Sequence, residues 1–334
     1  MSGRKNRAWR AAATLLELTG CAAIGGLAGA ANFFFQFSLK PKKKDESKDT
    51  DPSESEYLAG CRWMNEHVMR RDVYTTSDSG LRLHGNLIPA AHPDCHRYAV
   101  CVHGYGERAA SMGMYAKVYS ENWGMNVLLP DLRGHGASEG NYIGMGYPDH
   151  FDLIRWIDYI LEKDPQAVIL LHGVSMGAAT VLMTTGETLP SQVRAAVSDC
   201  AYTSAVEEFT KVYKGLDGAF VPAPLMLQMV RAICLVRARF DLAKAAPIRY
   251  VRRSETPTLF IHGAEDDFVP ASMMPRLFEA AACPKEFLWV PGAAHAASAV
   301  VDPEAYWNKV ERFLDRISPW ILHDNIASEE GQEM

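Results

Sequence analysis

Apolar positions recur along this chain in two rhythms, and the switches between them predict its elements. Two extended runs between Val73 and Ile88 flank Ser77-Asp78-Ser79-Gly80, a hairpin signal. Short continuous apolar runs follow at Tyr98–Val102, Asn126–Leu129, Ala167–Leu171, Ala195–Ser198, Thr258–Ile261 and Phe287–Val290. Runs this short, bounded by turn residues, predict buried strands. Between them, Asp149–Lys163 is apolar at helical spacing through Phe151, Ile154, Ile157, Tyr159 and Ile160, and Met112–Asn122, Met273–Ala282 and Pro303–Ile317 are further helix candidates. Strand and helix in alternation mean a mostly parallel sheet covered on both faces. Residues 202–253 break the alternation: Leu225, Met226, Met229, Val230, Ile233 and Leu235 follow helical spacing among Pro222, Pro224 and Pro247. This is a helical insertion, expected as a cap. Its methionines suit an adaptable pocket lining, although plain core is the commoner use of such a stripe.

The N-terminus follows a different pattern. An apolar segment runs from about Leu18 to Phe37, close to the ~20 residues that cross a bilayer. Arg4, Lys5, Arg7 and Arg10 precede it, Glu17 sits at its edge, and Asn32 and Gln36 weaken its outer end. Ala28-Gly29-Ala30 offers a signal-peptidase site and Leu18-Thr19-Gly20-Cys21 resembles a lipobox, but the apolar run continues past both. The expectation is therefore an uncleaved signal anchor with a single transmembrane helix in the cell membrane. Lys40, Lys42, Lys43 and Lys44 nearly balance the leading cations, and the short basic N-terminus tips the catalytic domain to the extracytoplasmic side. Pro41–Glu56, rich in Lys, Asp, Glu and Ser, reads as a solvated tether. The expected organisation is an anchor over 1–40, a polar linker over 41–56, a catalytic domain over 57–324 holding the 202–253 insertion, and a polar tail over 325–334.

Composition narrows the function without naming it. A chain of 334 residues can bury the core of one α/β domain with an insertion. A net charge of -6 argues against a nucleic-acid partner. The seven cysteines form no Cys-x-x-Cys or Cys/His metal spacing, and Cys101 and Cys200 read as buried thiols. No metal and no organic cofactor is expected.

The chemistry lies where predicted strands end. Gly173-Val174-Ser175-Met176-Gly177 follows the run at 167–171 at once and leads into a helix, the strand–turn–helix setting of a nucleophile elbow. A serine hydroxyl needs a base to take its proton. His295, in a Gly- and Ala-rich loop after the last strand, is the candidate. The base needs a carboxylate to fix its tautomer, and His262-Gly263-Ala264-Glu265-Asp266-Asp267 offers three. Two backbone N–H groups should hold an oxyanion, those of Met176 and of Tyr105 in His103-Gly104-Tyr105-Gly106-Glu107.

With Pro130-Asp131-Leu132-Arg133-Gly134-His135-Gly136 and His262–Pro270, these motifs make the chain from about Val73 to Ile317 resemble the α/β-hydrolase superfamily. The resemblance is to its serine esterase, lipase and serine-aminopeptidase-like branch, and the N-terminal anchor is similar to that of membrane-associated bacterial members. It implies the α/β-hydrolase fold, places the acid on Asp266 within His-Gly-x-x-Asp-x-x-Val-Pro, and gives the Arg133–Gly136 loop a structural role. The function expected is hydrolysis of small esters with an apolar acyl or alcohol part, through an acyl-enzyme on Ser175. A peptidase or amidase releasing N-terminal residues is the enzymatic alternative. It needs an acidic patch for the substrate amine, for which Glu207 and Glu208 are faint candidates. A non-catalytic binding protein on the same fold is the remaining alternative.

Overall fold

The computed structural model of the chain describes residues 25–41, 54–216 and 221–322. Its strands are β1 (Arg71–Thr76), β2 (Arg82–Ile88), β3 (Arg97–Val102), β4 (Asn126–Pro130), β5 (Val168–Val174), β6 (Val193–Asp199), β7 (Thr258–Gly263) and β8 (Lys285–Val290). They form one sheet in the order β1-β2-β4-β3-β5-β6-β7-β8. Only β2 runs against its neighbours; from β4 to β8 every pairing is parallel. This is the α/β-hydrolase sheet. Its central strand β5 is buried from Ile169 to Val174, which explains an apolar run without alternation: both faces are covered.

Two layers provide the cover. On one face Cys101, Val197 and Ile261 pack with Tyr115, Tyr119, Tyr306, Val310 and Phe313. The last three lie on α11 (Pro303–Ile317), whose buried positions fall at helical spacing. On the other face Ala178 and Leu182 of α5 (Met176–Thr185) meet Phe260, Met274 and Leu277, the last two from α9 (Met273–Ala280). Among the described residues no cysteine is in a disulfide, and Cys101 and Cys200 are fully buried as thiols, as expected.

Two elements depart from the sequence pattern. The helix expected over Met112–Asn122 is a 3-10 turn (Ala109–Met112), a short α3 (Gly113–Lys117) and a π turn (Val118–Asn122). An additional helix, α2 (Glu54–Arg62), begins inside the stretch expected as linker and crosses α3. A Cβ on Gly113 would lie 2.2 Å from the Gly60 carbonyl oxygen, and one on Gly60 would lie 2.4 Å from the Met114 nitrogen. The two backbones therefore touch, and only glycine fits at either position. Residues 42–53 of the expected linker lie outside the described residues, as does the tail beyond Leu322.

The chain divides into two compact units. The larger, Pro41–Glu208 with Leu242–Met334, holds the sheet. The smaller combines Phe209–Asp241 with the described part of Met1–Lys40. Its elements are α1 (25–39), the end of α6 (Ala205–Lys214) and α7 (Ala223–Arg237). Phe34 sets its ring edge-on against Phe209 and Tyr213 at 6.2 and 5.3 Å. Arg237 donates to Asn32 Oδ1 at 2.6 Å, and Arg231 grips Asp241 with two nitrogens.

The anchor expected over 1–40 is described only from residue 25 onward. Among the described residues no helix is long and apolar enough to cross a membrane. α1 buries Ala31, Phe34, Phe35 and Leu39 along one face and turns Phe33 and Phe37 outward. Residues 1–24, with the first part of the apolar run, lie outside the described residues.

Candidate active site

The nucleophile turn is built by two glycines. A Cβ on Gly177 would stand 2.0 Å from the Val102 carbonyl oxygen, and one on Gly173 would stand 2.3 Å from the oxygen of Gly177. Chain from β5, α5 and the end of β3 can pass this close only without side chains. Between them Ser175 takes φ 57° and ψ -117°, a strained backbone for a residue with a Cβ. Its N–H donates to the Asp199 carbonyl at 2.8 Å, which ties the turn to β6.

Two loops bring their side chains to this hydroxyl. His295, in the turn after β8, sets Nε2 2.8 Å from Ser175 Oγ. Its Nδ1 lies 2.8 Å from Oδ2 of Asp266, in the turn after β7. A carboxylate can only accept, so Nδ1 carries the proton and Nε2 is left free to accept from the serine. Asp266 is buried. Its Oδ1 accepts the backbone N–H groups of Phe268 and Val269 at 3.0 and 2.8 Å, and His262 Nε2 stands 3.3 Å from Oδ2. Burial pushes this carboxyl up, but hydrogen bonds from His262 and His295 outweigh it and hold Asp266 well below the usual carboxylate range. Asp267 is exposed. The sequence left three carboxylates open, and the fold brings Asp266 to the imidazole.

The residues expected to supply the oxyanion donors belong to backbone next to the serine. Met176 is the first residue of α5, where backbone N–H groups have no partner within the helix. Tyr105 follows Gly104, whose Cβ, if added, would lie 3.4 Å from Ser175 Cβ. Two histidines brace this loop. His103 Nε2 accepts from Leu132 N–H at 3.0 Å, which leaves its Nδ1–H to donate to the Gly104 carbonyl at 2.8 Å. His135 Nε2 accepts from Gly106 N–H at 3.2 Å, and its Nδ1 lies 3.1 Å from the Arg133 carbonyl. Burial lowers both pKa values, that of His135 to about 3, so both rings are neutral braces. The Arg133–Gly136 loop thus has the structural part the resemblance gave it. Arg133 itself forks onto Asp152, with both bonds at 2.6 Å.

Sequence reasoning missed four neighbours. His262 and Phe268 stand inside a motif already singled out, yet nothing in the spacing says that one touches the acid and the other sets its ring 4.9 Å from His295. Phe268 is half exposed. Asp199 ends β6 fully buried and accepts from Ser298 Oγ at 3.2 Å. Burial raises its pKa to about 6, against the pull of His262, Tyr306 and Ser298. Cys200 comes next, and its Sγ lies with ligand atoms of Asp266 and His295 inside 4.8 Å. Burial pushes that thiol far up, so it stays protonated and is a poor metal ligand. A cavity of about 800 Å³, bordered by Thr185, Arg194, Arg253 and Pro257, opens at the starting ends of β6 and β7, away from Ser175.

Comparison with known proteins bears on the family and the fold. The family described as serine aminopeptidase, S33, matches residues 94–244. The uncharacterised protein MT2364 of Mycobacterium tuberculosis is 30% identical over 246 residues, which cover 73% of this chain and 79% of that protein. The alpha/beta hydrolase domain-containing protein WAV2 of Arabidopsis thaliana is 24% identical over 271 residues, covering 76% of this chain and 81% of its own. Among solved structures, the Pyrococcus furiosus esterase Pf2001 superposes with a TM-score of 0.59 at 21% identity, across 76% of this chain and 95% of the esterase.

Proposed function

Since the chain belongs to the α/β-hydrolase superfamily of serine hydrolases, we propose that it cleaves carboxylic esters through an acyl-enzyme on Ser175. The observation that carries this reading is the in-line chain Ser175 Oγ, His295 Nε2, His295 Nδ1, Asp266 Oδ2, with 2.8 Å at each contact between residues. Ser175 Oγ attacks the ester carbonyl while His295 Nε2 takes its proton. The Met176 and Tyr105 N–H groups hold the resulting oxyanion, and Asp266 stabilises the imidazolium. Collapse breaks the bond to the alcohol oxygen, which leaves with the proton from His295. Water then enters by the same route, and the acid departs.

Two observations support an ester over an N-terminal amine. Glu207, a candidate amine binder, is gripped by both terminal nitrogens of Arg276 at 2.6 and 3.1 Å, and Glu208 is buried. The exposed ring of Phe268 beside His295 supports an apolar acyl or alcohol group. The peptidase reading keeps the family description as its support. Membrane attachment through the first 40 residues rests on the apolar run and its basic flanks alone. Sedimentation of the full chain with membranes tests it.

Activity decides the main reading. A fluorophosphonate probe should label Ser175 and not Ser175→Ala, and p-nitrophenyl acyl esters should turn over faster than aminoacyl amides. Labelling without ester turnover, or amides turning over faster than esters, would refute the esterase reading.

A further inference from the structure

The smaller unit carries a surface that the proposed chemistry leaves unused. Along α1 and the residue that follows it, Gly29, Asn32, Phe33, Phe37 and Lys40 are exposed and recur at helical spacing. The outward stripe therefore holds the stacked rings of Phe33 and Phe37, 6.4 Å apart, and ends in a cation. On α7 the outward positions are Leu225, Gln228, Ala232, Leu235 and Val236, and they run into Arg237 and Arg239. Phe33 is 69% exposed and Val236 80%. The two stripes adjoin, because Arg237 reaches across to Asn32. Charge is as uneven as polarity. The described residues of this unit hold six cations (Lys40, Lys211, Lys214, Arg231, Arg237, Arg239) against one acid, Asp241, while the whole chain carries -6.

An apolar stripe rimmed by cations is what the boundary of an anionic bilayer takes up. Rings and aliphatic groups enter the acyl edge while guanidinium groups reach the phosphates. We propose that this unit docks on an anionic lipid surface through Phe33, Phe37, Leu235 and Val236, with Arg237 and Arg239 on the headgroups. The helices lie on the bilayer and do not cross it. A second copy of the chain would set one cationic face against another, which like-charge repulsion disfavours.

Flotation of the full chain tests this, with vesicles of phosphatidylcholine alone and of phosphatidylcholine mixed with phosphatidylglycerol. The wild-type chain should float with the mixed vesicles and less with the neutral ones. Phe33→Ser with Val236→Ser should weaken binding to both. Arg237→Gln with Arg239→Gln should weaken binding to the anionic vesicles alone, by about fivefold for each arginine, and added salt should act the same way. Binding is read without substrate, so its failure and that of the esterase reading are separable. All variants should keep the wild-type turnover of a soluble ester. Flotation equal to wild type in every variant would assign attachment to residues 1–24 and overturn the proposal. Wild-type chain that fails to float overturns it too, as does a lipid-free dimer that the Phe33 and Val236 changes dissolve.

Discussion

Replacing Asp266 with asparagine tests the proposed mechanism where it is most exposed to failure. The side chain keeps its size, and its remaining oxygen can still accept from Phe268 and Val269, as Oδ1 does now at 3.0 and 2.8 Å. The fold should therefore survive. The other end changes from acceptor to donor and meets the Nδ1–H of His295 at what was a 2.8 Å hydrogen bond. The imidazole can satisfy it only by moving its proton to Nε2, which then points at Ser175 Oγ and cannot receive a proton. Loss of the right tautomer costs up to about 10⁴ in kcat in enzymes of this logic, or roughly 5 kcal/mol of barrier. Asp267→Asn supplies the control: its carboxylate is exposed and its loss should change stability by under about 1 kcal/mol. Ester turnover and thermal melting of both variants measure the contrast. Near-normal kcat in folded Asp266→Asn would refute the assignment, most clearly beside a collapse in Asp267→Asn.

Two further outcomes follow from groups around the site. In His135→Ala the Gly106 N–H loses its acceptor, and the Tyr105 loop loses one of its two braces; kcat should fall roughly tenfold or more, short of the ~10²–10³ lost with a whole oxyanion donor, with KM little changed. An unchanged kcat would remove that loop from oxyanion stabilisation. Asp199 has a folded pKa of about 6, above its ordinary value of 3.8, so the folded chain binds more protons there and stability falls as pH rises between those values. Asp199→Asn should lift stability above pH ~6 by at most about 3 kcal/mol and flatten that part of the pH dependence; identical melting curves for variant and wild type at pH 5 and 8 would contradict it.

The sheet was legible because each parallel strand is a short apolar run closed by a turn, and burial on both faces leaves that mark directly in composition. The elbow was legible for a related reason: glycine is demanded at 173 and 177 by backbone approach, and serine stands between them. What the sequence hid were contacts made by common residues in ordinary surroundings. Nothing in His-Gly or Gly-His-Gly shows that His103 and His135 hold one loop from two sides, since the partner carbonyl and N–H belong to backbone that any sequence supplies. Asp199 ends a strand in Ser-Asp-Cys, which is no motif, and its weight comes from burial. α2 went unread because its few buried positions adjoin a charged stretch. The first 40 residues read two ways for the opposite reason: an apolar run of bilayer length and a helix that buries one face in protein can share a composition.

The contact between Gly60 and Gly113 bears on how this hydrolase can be taken apart. A hinge needs slack, and two backbones pressed together through missing side chains have none. Residues 54–67 are thus keyed into the catalytic body like a tenon, although composition alone draws the border at Tyr57. Anyone exchanging front ends between relatives, or splicing another segment onto this hydrolase, should cut before Glu54. A junction at Tyr57 would remove the first three residues of α2 and leave Gly60 near its new, fraying end.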